Sequence, residues 1–252
     1  MAYVVQARNV NGAWQRGLEL LWLQGVQRKS RAGDVRELPS PTITIYLKPQ
    51  ERVLFDPVRD ANPFFHLFEA IWMLAGREDL APMAAILKRM SDYSDNGQTL
   101  QGAYGHRWRR YYFIDQVEEV IKLLKKDKQS RRAVIAMWGT GDLANQKSKD
   151  LPCNTHLYFK VRDDLLDMTV CNRSNDIIWG LYGANAVHMS VLMEYMAARL
   201  DLELGTMTTL SDSFHAYVDV LEKHRNRSPQ YDYYTTEAWR DADNFVPVGT
   251  PS

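Results

Sequence analysis

Cysteine is nearly missing from this chain: Cys153 and Cys171 are the two in 252 residues. Two cysteines cannot build the disulfide framework of a small secreted domain, so a reducing compartment, the cytoplasm, is the expectation. A surplus of either charge is missing too. Lysine plus arginine number 31 and aspartate plus glutamate 31, a formal net charge of +0. A dedicated nucleic-acid binder needs extra cations to neutralise phosphates, so that class is set aside. A local arginine cluster for one small phosphate is not. No apolar run is long enough to cross a bilayer, since the best one, near Met189 to Leu200, is broken by Ser190, Glu194 and Arg199. The first residues lack the basic-then-apolar pattern of a signal peptide. No repeat and no low-complexity linker interrupts the sequence. The expectation is a single domain over 1–252, with neither membrane nor nucleic acid as partner.

What is present is a mixture of helix and strand patterns. Residues 42–47 alternate polar and apolar, as a half-buried strand does. Asn62-Pro63 predicts a helix start, followed by Phe65, Phe68, Ile71 and Trp72 at helical spacing. Asp115 with Glu118 predicts a capping box ahead of an apolar face of Val117, Val120, Ile121 and Leu124. Residues 133–138 and 157–161 read as buried strands, and 166–171 alternate clearly. From Asn185 to Leu200 the chain is apolar nearly all round, which predicts a buried central helix. Strict βαβ alternation is absent. The fold class is therefore α+β or mixed α/β, with helices packed on a mixed sheet.

Three features could carry chemistry. Cys153 sits at a loop-to-strand transition, where a thiol can be exposed and a thiolate stabilised. A lone cysteine is more often a small buried hydrophobe, which suits Cys171, placed mid-strand. Arg131-Arg132 and Arg173-Ser174 stand at strand ends. Guanidinium forks suit a dianionic phosphate, although any single arginine is more often a surface ion-pair partner. Glu69 is a carboxylate on the otherwise apolar helix 64–75, costly there unless paired or functional.

Together and in order, these blocks resemble the thymidylate synthase superfamily. The resemblance rests on Leu151-Pro152-Cys153, the run from Asn172 to Gly180, the helix opened by Asn185, and His215-Ala216-Tyr217. Ser130-Arg131-Arg132, Glu69 to Trp72, and Gly102 to Trp108 match further blocks, so about residues 15–225 are covered. The resemblance implies a thymidylate synthase-like fold, forming a sheet-to-sheet homodimer. It implies that Cys153 attacks C6 of a pyrimidine nucleotide, so that C5 takes a one-carbon unit from 5,10-methylenetetrahydrofolate. Arg173 matches a phosphate-holding arginine near the thiol, and a cation there would favour thiolate. Ser174 and Arg31 match further phosphate ligands, and Arg131 and Arg132 a pair that reaches the partner subunit's phosphate site. Glu69 matches the carboxylate that organises proton transfer, with Tyr104 also among the catalytic residues. Asp176 and Trp72 match the folate side, and His215 and Tyr217 the pair on the sugar 3′-hydroxyl. No metal is implied.

Asn185 matches the residue that reads the base, asparagine for uracil and aspartate for cytosine. A gapless alignment from Gly180 would put Ala184 there. Counting back from Asp201 puts Asn185 there, with the extra residue in a surface loop, where insertion is cheap. Three departures separate the chain from the synthases. Lys88 to Tyr93 holds no tryptophan where the synthases carry a shielding pair. Asn154 follows the nucleophile instead of histidine. After Pro229 the sequence runs only from Gln230 to Ser252, too short for the synthases' closing tail. A wetter pocket lets water, rather than hydride, meet the C5 methylene intermediate. The expectation is a dUMP hydroxymethylase. The alternatives are a thymidylate synthase, a dCMP hydroxymethylase, and a catalytically silent nucleotide- or RNA-binding homologue.

Overall fold

The structure, a computed structural model, describes residues 2–145, 147–225 and 232–235. In chain order the elements are β1 (Tyr3–Ala7), α1 (Val10–Gln24), β2 (Val26–Ser30), β3 (Gly33–Glu37) and β4 (Thr42–Tyr46). Then come α2 (Pro63–Leu74), α3 (Ala81–Ile86), α4 (Tyr104–Arg109), α5 (Gln116–Lys126), β5 (Val134–Ala136) and α6 (Thr140–Ala144). The last group is β6 (Asn154–Arg162), β7 (Leu165–Asn172), β8 (Asn175–Asp176), α7 (Asn185–Leu200), β9 (Glu203–Ser211), β10 (Phe214–Tyr217) and α8 (Val218–Leu221). One mixed sheet runs β1-β4-β9-β7-β6-β5 and a smaller one β2-β3-β10-β8. This is the expected α+β class.

Strand alternation decides the two faces of the large sheet. Leu157, Phe159, Val161, Leu166, Met168, Val170 and Met207 point into the core and are almost fully buried. The register places Val134, Tyr158, Thr169, Cys171, Leu210 and Ile43 on the other face, where Tyr158 and Leu210 are exposed. Cys171 is thus half-buried on the outer face and not the core residue that its mid-strand position suggested. α7 is the buried central helix that its apolar sequence predicts.

The helix starts follow their caps. Asn62 accepts from the amide of Phe65, and Asp115 from that of Glu118. The reciprocal half of the expected capping box is absent. The Glu118 carboxylate instead takes the Arg199 guanidinium at 2.7 and 2.8 Å, because a charged bidentate partner outbids a backbone amide. α2 also turns differently from its apolar spacing. It buries His66, Ala70, Trp72 and Met73, while Phe68 and Ile71 stand exposed. A helix apolar on all sides offers no stripe to fix its rotation, so packing decides.

Two features position the site. Arg107 on α4 and Asp142 on α6 form a buried bidentate pair at 2.7 and 2.8 Å. Either charge left alone would cost about 3–5 kcal/mol, so the pair fixes α4, whose first residue is Tyr104. The stretch Ile177–Ala184 winds in wide π-helical turns with a non-helical residue at Gly183. π turns take up one extra residue within a helix. The insertion before Asn185 therefore lies in a buried helical segment, with Leu181 and Tyr182 packed inside, and not in a surface loop.

Candidate active site

Two neighbouring cavities hold most of the candidate residues. The first, about 220 Å³, is lined by Cys153, Glu69, Trp72, Tyr104, Asn185 and, unanticipated, His188. The second, about 280 Å³, gathers Arg31, Arg173, Ser174, His215 and Tyr217, with Arg28 and Lys29 besides. Arg173 links them. Its backbone amide donates to the Cys153 carbonyl at 3.0 Å, and its guanidinium donates to the carbonyls of Pro152 and Leu151 at 3.0 and 3.2 Å. The thiol-bearing loop is thereby clipped to the cationic cavity.

Cys153 lies just before β6, half-buried and free. Burial pushes its thiol up from the ordinary value, and Arg173 pulls it partly back. The expected effect of the cation is present but the smaller of the two, since desolvation penalises a thiolate most in a closed pocket. Burial likewise raises the Tyr104 hydroxyl, which lies beside Cys153 and Asn154. Asp150 faces the same cavity and accepts from the amide of Gly102 at 2.8 Å. A Cβ on Gly102 would stand 2.7 Å from that carboxylate, so only glycine allows the approach.

Asn185 and Ala184 both reach the cavity, so the position of the loop insertion matters less than feared. The Asn185 amide donates a long bond of 3.4 Å to Asn175, whose own amide donates to Ser211 at 3.0 Å. This chain fixes which way the amide points and leaves its oxygen for a ligand. In the cationic cavity the His215 ring meets Ser213 at 3.0 Å. Residues 88–93 form a short 3-10 helix whose Met90 and Tyr93 line the first cavity, with no tryptophan among them.

Some candidates are elsewhere. Asp176 lines neither cavity; its carboxylate accepts from the amides of Ile178 and Trp179 at 2.7 and 3.0 Å, capping the helical segment. Arg131 and Arg132 are exposed ahead of the edge strand β5 and reach neither cavity within this chain. The tail beyond Pro229 lies outside the described residues, except for 232–235. Glu69 is not the solitary carboxylate its helix suggested. Its Oε2 stands 2.8 Å from Nε2 of His188 on α7, and the His188 ring meets that of His66 edge-on at 6.3 Å. Both histidines were hidden in helices read for their apolar residues. The signal that could have found them is a polar ring on a helix that buries almost every side.

The thymidylate synthase family model matches residues 59–235, which carry both cavities. The chain belongs to the thymidylate synthase family. A protein named deoxyuridylate hydroxymethyltransferase from Pseudomonas phage M6 is 50% identical over 221 residues, 87% of this chain and 63% of that protein. A second of that name, from Bacillus phage SP01, is 37% identical over 190 residues, 71% of this chain and 50% of that protein. The chain thus spans less than two thirds of the length of either relative. The crystal structure of thymidylate synthase from T4 phage superposes with a TM-score of 0.69 at 20% identity, covering 86% of this chain and 82% of that one. That likeness places the fold in the family as well. Among the described residues no helix is long and apolar enough to cross a membrane.

Proposed function

We propose that this chain is a folate-dependent dUMP hydroxymethylase, making 5-hydroxymethyl-dUMP from dUMP and 5,10-methylenetetrahydrofolate. The observation that carries the reading is the cavity wall of Met90 and Tyr93 where a shielding tryptophan pair was expected. The names of the two phage relatives agree with it. The wall formed with Trp72 is apolar and beside Cys153, which fits a flat pteridine ring. The folate donor, when bound, supplies a one-carbon unit at the oxidation level of formaldehyde. Arg31, Arg173 and Ser174 hold the nucleotide phosphate, and His215 and Tyr217 hold the sugar. Asn185 reads O4 and N3–H of uracil. Cys153 adds to C6, which makes C5 nucleophilic. Glu69 and Tyr104 handle the protons at C5 and O4, and water completes the hydroxymethyl group.

Absorbance of the folate product tests the reading. Hydroxymethylation leaves tetrahydrofolate, so turnover of dUMP should proceed without dihydrofolate. Stoichiometric dihydrofolate would mean reductive methylation and would refute the reading.

The base choice follows from Asn185. Asn185→Asp should move preference toward dCMP by about 5- to 150-fold, the worth of one mismatched buried polar pair of about 1–3 kcal/mol. The check is the ratio of kcat/KM for dUMP and dCMP. An unchanged ratio would place another residue on the base.

The pair Arg131 and Arg132 serves a neighbouring subunit in this reading, across a homodimer joined through the open sheet face of Tyr158 and Leu210. Mixing Cys153→Ser with Arg132→Ala chains should then restore about a quarter of wild-type activity, because half the dimers are hybrids with one intact site. No recovery from mixtures whose chains demonstrably exchange would overturn the shared site.

A further inference from the structure

His188 has no part in the mechanism above, yet it is the most buried titratable side chain in the nucleophile's cavity. It projects from the first turn of α7, one turn beyond Asn185, and meets Glu69 of α2 at 2.8 Å. Neither ring nitrogen completes a hydrogen bond of good geometry among the described residues. A buried imidazole left so costs about 1–3 kcal/mol, and a polar group brought into that cavity recovers it. The neighbour His66 adds no competing cation, since burial lowers it to about 4 and keeps it neutral at neutral pH. The carboxylate and the imidazole therefore form a two-member polar cluster on one wall, with Cys153 on the cavity's lining beside them.

We infer that His188 is a positioning residue for the hydration step, holding Glu69 so that its carboxylate accepts the proton released by the attacking water. This rests on the hydroxymethylase reading. In the step, the water oxygen bonds to the exocyclic methylene carbon on C5. The electrons of that double bond move through C5–C4 onto O4, and the water proton passes to Glu69, beside the His188 ring. The electrons then return from O4 to form the C5–C6 double bond, and the Cys153 sulfur leaves C6 as thiolate. Water is the one co-reactant, and no oxidant or reductant is needed.

Microscopic reversibility gives a test without folate. Incubated with 5-hydroxymethyl-dUMP in heavy-oxygen water, the wild-type protein should exchange the hydroxymethyl oxygen, read by mass spectrometry of the nucleotide. His188→Gln should slow that exchange about 100-fold, the scale of a displaced general base, while the affinity for dUMP, measured by calorimetry, stays within about twofold. Exchange at the wild-type rate in His188→Gln would overturn the inference and leave the hydroxymethylase reading standing. Loss of dUMP affinity in both His188→Gln and His188→Ser would make the residue structural and overturn it too. No exchange by the wild-type protein would instead count against the hydroxymethylase reading, and the inference would fall with it.

Discussion

Cys153→Ser is expected to lower turnover of dUMP by about 10⁴-fold or more, because the covalent route through C6 closes. The thiol is free, faces the cavity, and lies on a loop clipped by Arg173. Serine is nearly isosteric but far less nucleophilic, so binding should survive while chemistry stops. The companion Cys171→Ser should keep most activity, since Cys171 stands on the outer face of the sheet. Burial raises the Cys153 thiol, so the thiolate is the minor form at neutral pH. The thiolate fraction then grows about tenfold per pH unit below that pKa, and kcat/KM for dUMP should climb from neutral toward alkaline pH. Steady-state kinetics on the two mutants check the assignment. Activity lost with Cys171 and kept without Cys153 would refute it.

Glu69→Gln is expected to cost about 10²- to 10⁴-fold in kcat, with a small change in KM. The amide keeps the shape and can still face His188, but it cannot take a proton. The contact of 2.8 Å to His188 puts the carboxylate where α2 and α7 meet at the cavity. A structural carboxylate would behave differently: its loss would lower stability and leave kcat per folded molecule unchanged. Thermal melting and kinetics on the same preparation separate the two. A variant with wild-type kcat would remove Glu69 from the chemistry.

Much of the fold was legible because strand alternation and caps are local. The strand at 166–171, the cap at Asn62 and the buried helix from Asn185 needed no tertiary information. Other features were settled by competition between distant groups. Glu118 abandons its capping role for Arg199 on another helix, and α2 rotates to bury His66 instead of Phe68. For the site, sequence order singled out Cys153, Asn185 and the arginines, and the fold brings Arg31 and Arg173 into one cavity although they are far apart in the chain. Asp176 looked like a ligand group, but its short side chain finds backbone amides two and three residues ahead first. The pairing of Glu69 with His188 could not be read, since nothing local tells two polar residues on separate apolar helices that they face each other.

The central claim is that water, and not hydride, finishes the reaction at C5. Mass spectrometry of the nucleotide formed from dUMP and 5,10-methylenetetrahydrofolate tests it most directly. The expected product is 5-hydroxymethyl-dUMP, with its new oxygen drawn from solvent when the reaction runs in heavy-oxygen water. Thymidylate as the main product, with no solvent oxygen in it, would contradict the account.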